Sequence, residues 1–263
     1  MGAARAGLDA GRQALHIEAL SFATNFSLLM AFSSSIVITG GFGALGSAIG
    51  LAAAEAGARV CLVGHGAAPA ADTLPANMLC IGGVDLTDTQ AANAALQQAA
   101  QTFGGVDALV NVAGGFQWQT TSGDAFDAWD RMYSMNLKTA VVASRAALPW
   151  LRQRAAARIV NVGAMAALSA TAGMGAYAAS KAGVIKLTEA LAAELADEGI
   201  NVNAVLPSII DTPQNRRDMP DADTRNWVRA QDLARVVLFF LGPDSAAVTG
   251  AALPVTLGPR TAG

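Results

Sequence analysis

Tyr177 and Lys181 stand four positions apart in the run GAYAASKAG (Gly175 to Gly183). On a helix that spacing puts both side chains on one face. A phenol is a poor acid near neutral pH, with a reference pKa of about 10. A neighbouring ammonium favours the phenolate, so the tyrosine can trade a proton with a substrate oxygen or nitrogen. The same four-residue spacing also describes a surface tyrosine one turn before an ordinary lysine. The surrounding residues must decide between the two.

The elements around the pair are those of a buried parallel sheet. Ile159, Val160 and Val162 form an apolar strand, small residues follow, and Tyr177 and Lys181 enter on a helix. Six more strands are expected, at 36–38, 59–63, 78–81, 107–112, 200–206 and 251–255, separated by helical runs at 88–103, 124–151 and 231–241. That alternation predicts an α/β, single-domain, Rossmann-type doubly wound parallel sheet of about seven strands. Asp85, Thr87 and Asp88 are candidates to cap the 88–103 helix. The first strand runs into TGGFGALG (Thr39 to Gly46) and then a helix. In that setting glycines let backbone approach a pyrophosphate and the helix N-terminus favours its charge, so a dinucleotide is expected on Gly40, Phe42, Gly43, Leu45 and Gly46.

Composition narrows the rest. Of 263 residues, 53% are apolar and 14% charged, which suits a sheet buried on both faces. A net charge of -3 points to no nucleic acid and no anionic membrane as partner. Cys61 and Cys80 lie in apolar runs, as expected of reduced thiols in a cytoplasmic protein, and no metal-ligand cluster is apparent. Residues 1–34 are expected to form an N-terminal extension outside the core, with 35–263 as the catalytic domain. Arg5, Arg12 and the interrupted apolar run from Phe22 to Phe32 leave open an upstream extension ahead of Met30 or a weak signal peptide. The run is too short and too polar to span a bilayer.

TGGFGALG, NVAG (Asn111 to Gly114), Asn136 and Tyr177-x-x-x-Lys181, in that order, resemble the short-chain dehydrogenase/reductase family over about residues 35–257. The resemblance implies an NAD(P)-dependent enzyme in which Tyr177, Lys181 and Asn136 form a proton relay. Asn111, Ala113 and Gly114 would steady the central strand and line the cofactor cleft, Asp85 and Leu86 would hold the adenine, and Lys181 would bond the nicotinamide ribose. Pro207 and Thr212 would cover the nicotinamide. Asp85 as a helix cap, Asn136 as a partner for backbone and Thr212 as a turn former remain alternatives. The family also implies a homodimer or homotetramer through the helices at 124–151 and 174–198.

Two positions depart from the family. A serine that would bind the substrate carbonyl is expected thirteen residues before the tyrosine, and the residue there is Ala164. Ser169 or Thr171 could substitute. GAMAAL, GMGAYAASKAG and LPSIIDTPQNRRDMPDADTRNW resemble the dihydropteridine reductase branch, which also has alanine at that position. A quinonoid dihydropterin accepts hydride with little help from a hydroxyl. Asn136 follows the broader family instead, and Phe116 stands where the branch has a tryptophan. Phe116, Ala164 and Trp227 are accordingly expected at a small-molecule substrate, beside Gln117, Trp118 and Gln119, under a lid at 208–229. The second departure is at the end of the second strand, where Val63-Gly64-His65-Gly66 has no carboxylate to select NAD. His65 could donate to a 2′-phosphate, although no arginine or lysine lies near it in sequence, and NADP is favoured over NAD. A general ketone reductase or alcohol dehydrogenase, and a cofactor-binding regulatory protein with little turnover, are the alternative functions.

Overall fold

A computed structural model describes residues 34–70, 74–122 and 127–256. The extension expected over residues 1–34 lies outside these apart from Ser34. Seven strands form one parallel sheet: β1 (Ser35–Thr39), β2 (Arg59–Val63), β3 (Met78–Ile81), β4 (Ala108–Asn111), β5 (Ala157–Val162), β6 (Ile200–Pro207) and, at the far edge, a strand at Ala252–Val255. The order is β3-β2-β1-β4-β5-β6 and then that last strand. The direction of winding reverses between β1 and β4, and a ligand crevice opens at such a point above the carboxyl ends of the strands.

Helices cover both faces. Four of them are α1 (Ala44–Glu55), α2 (Thr89–Phe103), α3 (Asp127–Met132) and α4 (Thr139–Leu151). They are followed by α5 (Gly175–Glu194), α6 (Pro213–Asp218) and α7 (Ala230–Leu241). The strands are apolar on both sides because each side is covered. Val37, Cys61, Leu109, Ile159 and Val202 pack with α2, α4 and α5. Ile36, Ile38, Val60, Val110 and Val160 pack with α1 and α7 on the opposite face. Cys61 and Cys80 are free thiols on neighbouring strands, and burial pushes Cys61 up to about 12.

One expectation is revised and two gain detail. The helix expected over 124–151 is divided, because a π-helical segment at Tyr133–Lys138 separates α3 from α4. The wider turn carries Asn136, and such insertions occur often at functional sites. The 88–103 helix is capped by Asp88, whose side chain accepts from the Gln90 N–H at 2.8 Å. Asp85 instead closes its own turn on Thr87. The segment at 208–229 has structure of its own. Strands β7 (Ile210–Asp211) and β8 (Val228–Arg229) pair in parallel around α6, which makes the far-edge strand β9 in chain order.

Candidate active site

Lys181 lies on α5 one turn after Tyr177. The Lys181 ammonium is buried and donates to the Val162 carbonyl at 2.9 Å. Burial pushes its pKa down to about 8. The Tyr177 phenol is half-buried, and burial pushes it up to about 12. This corrects the expectation of a phenol made acidic by the lysine, since desolvation of each group outweighs their mutual influence. The phenol therefore holds its proton through the neutral range.

Asn136 is fixed at both ends of its carboxamide. Its Oδ1 accepts from the Gly115 N–H at 2.8 Å, and its Nδ2 donates to Ser180 Oγ at 2.9 Å. The Ser180 hydroxyl donates in turn to the Tyr177 carbonyl at 2.7 Å. Asn136 thus ties the loop after β4 to the helix bearing the phenol. A β-carbon on Gly114 would lie 2.6 Å from Asn136 Oδ1 and 3.3 Å from Lys181 Nζ. Only glycine lets the backbone pass between these groups. Ser180 escaped the sequence reading, although its place three residues after Tyr177 was the available signal.

Beneath this triad runs a buried polar chain. Asn111 Nδ2 donates to Ser144 Oγ at 3.0 Å and to Asn161 Oδ1 at 2.8 Å, and Asn161 Nδ2 donates to Thr188 Oγ1 at 2.9 Å. Asn111 therefore braces β4 from inside and does not line the cleft. Thr39 Oγ1 accepts from the N–H groups of Val112 and Ala113, which anchors NVAG to the end of β1.

A cleft of about 560 Å³ lies at the switch point. Of the residues expected to hold a dinucleotide, Gly40, His65, Asp85, Leu86, Ala113 and Gly114 line it. Gly40 has φ 63, and a β-carbon on it would sit 2.8 Å from Ala113 N. One on Gly46 would come within 2.8 Å of Gly41 Cα, so helix, turn and strand meet without side chains between them. Gly43 precedes α1 with no side-chain cap, leaving the first N–H groups of the helix free for an anion. These features fit a dinucleotide. Leu45 is buried in the core below. Phe42 lies against Gly64, Pro207 ends β6, and Thr212 Oγ1 accepts from Asn215 N–H at 3.1 Å as the cap of α6.

The cleft also takes in Arg131, Ser134, Met135 and Thr139 from the divided helix. Arg131 adds a cation to the lining: it arrives from a distant part of the chain, where spacing in sequence gives no sign of it. Hydrogen bonds from Thr87 hold the Asp85 carboxylate below its ordinary range, with smaller pulls from His65 and Lys138.

On the acceptor side, Ala164 is buried and Phe116 meets Tyr177 edge to face with centroids 5.0 Å apart. Ser169 and Thr171, the candidate substitutes for the missing serine, are exposed, and the Thr171 hydroxyl is directed at Met174 Sδ, 2.9 Å away. Trp227, within the 208–229 segment, is buried at 5% exposure and is not part of the cleft lining.

The short chain dehydrogenase family matches residues 34–223 of the chain. The chain is 34% identical over 241 residues to 2-(S)-hydroxypropyl-CoM dehydrogenase 3 of Xanthobacter autotrophicus, covering 84% of this chain and 94% of that one. Its fold is similar to a short chain dehydrogenase from Burkholderia cenocepacia in complex with NADP, at TM-score 0.74 and 30% identity over 86% of this chain and 97% of that one. It is also similar to 3-ketoacyl-(acyl-carrier-protein) reductase from Brucella melitensis complexed with NADH, at TM-score 0.76 and 25% identity over 86% and 98%. The chain belongs to the short-chain dehydrogenase family and is an NAD(P)-dependent oxidoreductase.

Proposed function

We propose that this short-chain dehydrogenase interconverts a carbonyl or quinonoid acceptor and its reduced form, with Tyr177 as the proton donor and acceptor. Bound nicotinamide supplies or takes the hydride. In the reducing direction the Tyr177 hydroxyl gives its proton to the acceptor oxygen or nitrogen. The resulting phenolate lies on the same helical face as Lys181, whose charge stabilises it. A lysine pushed down to about 8 also exchanges protons readily near neutral pH, so it can help restore the phenol. Asn136 and Ser180 act by position, holding the loop after β4 against the helix that carries the pair. The observation that carries this reading is Tyr177 one turn before a buried lysine whose ammonium lies beside Gly114 of the cleft lining.

Ala164 leaves the acceptor oxygen without its expected second donor. Loss of one such donor typically costs about 10² to 10³ in rate. An acceptor that takes hydride readily, such as a quinonoid ring, suffers least. NADPH is the proposed cofactor, because Arg131 and His65 line the cleft and Gly64 provides no carboxylate. Asp85 and Leu86 would hold the adenine. Homo-oligomeric assembly in the cytoplasm, a small-molecule substrate and no nucleic-acid partner complete the reading. Among the described residues, no helix is long and apolar enough to cross a membrane.

Hydride transfer from NADPH and NADH to ketones and to a quinonoid dihydropterin tests the proposal. Turnover is expected, and Tyr177→Phe should abolish it while leaving cofactor affinity nearly intact. Tight cofactor binding with no turnover of any acceptor would favour the regulatory alternative.

A further inference from the structure

Four large apolar side chains stand exposed on the segments that follow the carboxyl ends of β4, β5 and β6. Phe116 is 56% exposed and touches the Tyr177 ring. Trp118, two residues on, is 60% exposed. Leu168 follows the short turn after Ala164, and Ile209 lies just beyond Pro207. Single exposed apolar residues are ordinary, but several together at the mouth of a site mark a binding surface.

Trp118 is held in place. Its indole N–H donates to the Ala172 carbonyl at 3.0 Å, and the ring lies directly on Gly173. Gly173 has φ 77, a conformation that favours glycine, and a β-carbon there would run into the indole. The Gln119 N–H donates to the Gly173 carbonyl at 2.8 Å, so the 116–119 segment is stitched to the loop that leads into α5. An aromatic ring fixed before the ligand arrives loses little freedom on binding.

Charge is absent from the two segments that carry Phe116, Trp118 and Leu168. The segments at 112–122 and 163–176, which bracket the phenol, contain no Asp, Glu, Lys, Arg or His. In the segment above, Arg216 and Arg225 each make two-point pairs with Asp211 and Asp223. An acceptor with its own carboxylate would lose water here without gaining a cation in either bracketing segment.

We infer that the acceptor is a neutral ketone or quinonoid bearing a flat aromatic ring next to the reducible centre, with that ring lying on Phe116 and Trp118. This rests on Tyr177 being the proton donor, since that fixes where the reducible centre must sit.

The test compares kcat/KM of the cofactor-loaded enzyme for an aryl methyl ketone, butanone and 3-oxobutanoate. Binding of benzamide, a non-reducible aryl probe, is measured by calorimetry on the same complex. The wild type should favour the aryl ketone over both others by about tenfold or more. Trp118→Ala and Phe116→Ala should each cut the aryl-to-butanone ratio about tenfold, mainly through KM, and weaken benzamide to match. Trp118→Phe should restore much of the ratio. Equal or better use of 3-oxobutanoate, or a ratio unmoved by both alanine variants, would overturn the inference while leaving Tyr177 as proton donor. A change in oligomeric mass in those variants with the ratio unmoved would reassign the rim to a subunit contact and overturn it as well. No turnover of any ketone or of a quinonoid dihydropterin would instead defeat the underlying reading, and where only the quinonoid turns over, benzamide affinity in the alanine variants decides the inference.

Discussion

The ring of Phe42 packs against Gly64, so that a β-carbon on Gly64 would come within 2.6 Å of Phe42 Cε2. The phenylalanine of the glycine turn thus occupies the space that a side chain on Gly64, just past the end of β2, would need. Gly64→Asp alone should therefore clash, lowering stability by about 1–3 kcal/mol without creating a preference for NADH. Joined to Phe42→Ala, the same aspartate should gain room and shift the NADH-to-NADPH affinity ratio about tenfold toward NADH. Thermal unfolding and titration of both cofactors against the single and double variants decide this. A preference for NADH in the single variant would show that Phe42 is not the obstacle.

Arg131 is the guanidinium in the lining of the cleft, and its partner is the exposed Asp127 at 3.2 Å. Arg131→Gln should weaken NADPH about tenfold while changing NADH about twofold or less. The salt dependence of NADPH affinity should flatten in parallel, because one charge facing a phosphate is gone. An equal loss for both cofactors would place Arg131 elsewhere along the dinucleotide.

The buried lysine makes stability depend on pH with a definite sign. Lys181 falls from its ordinary 10.5 to about 8 in the folded protein, so above pH 8 the unfolded chain holds more protons there than the folded one. Stability then rises with pH, by on the order of 2 kcal/mol between pH 8 and 10 from this group. Tyr177, pushed up to about 12, acts oppositely above pH 10, where the unfolded phenol ionises first. Denaturant unfolding across this range should show the rise in the wild type and not in Lys181→Met. A rise of equal size in the variant would assign it to other groups.

Ala164→Ser restores a donor at the buried end of the loop after β5. Turnover of an unactivated ketone should increase by about 10- to 100-fold, whereas reduction of a quinonoid acceptor should change little. Steady-state kinetics on both acceptors provide the check, and an equal response would mean that the missing hydroxyl does not discriminate between them.

The sheet was legible because buried parallel strands are short apolar runs. Val37, Leu109 and Ile159 announce themselves one by one. Tyr177, Lys181 and the glycine turn were legible because their chemistry depends on spacing along the chain. Arg131 was not, since its place in the cleft is set by folding, and the three-residue spacing of Ser180 from Tyr177 gains meaning only once folding brings Asn136 up to it. The π segment was hidden as well, because Tyr133–Lys138 has no proline or glycine to mark a change of winding. The expected sign of the Tyr177 shift failed for a related reason: sequence displays the nearby cation but not the burial that outweighs it.

The amide and hydroxyl chain from Asn111 through Asn161 to Thr188 pins the floor of the site to two strands and a helix. The residues at 116–119 and 165–174 hang above that floor and contribute none of its members. Evolution, or an engineer, can therefore swap these rims wholesale to change the compounds admitted while the proton-handling pair stays where it is.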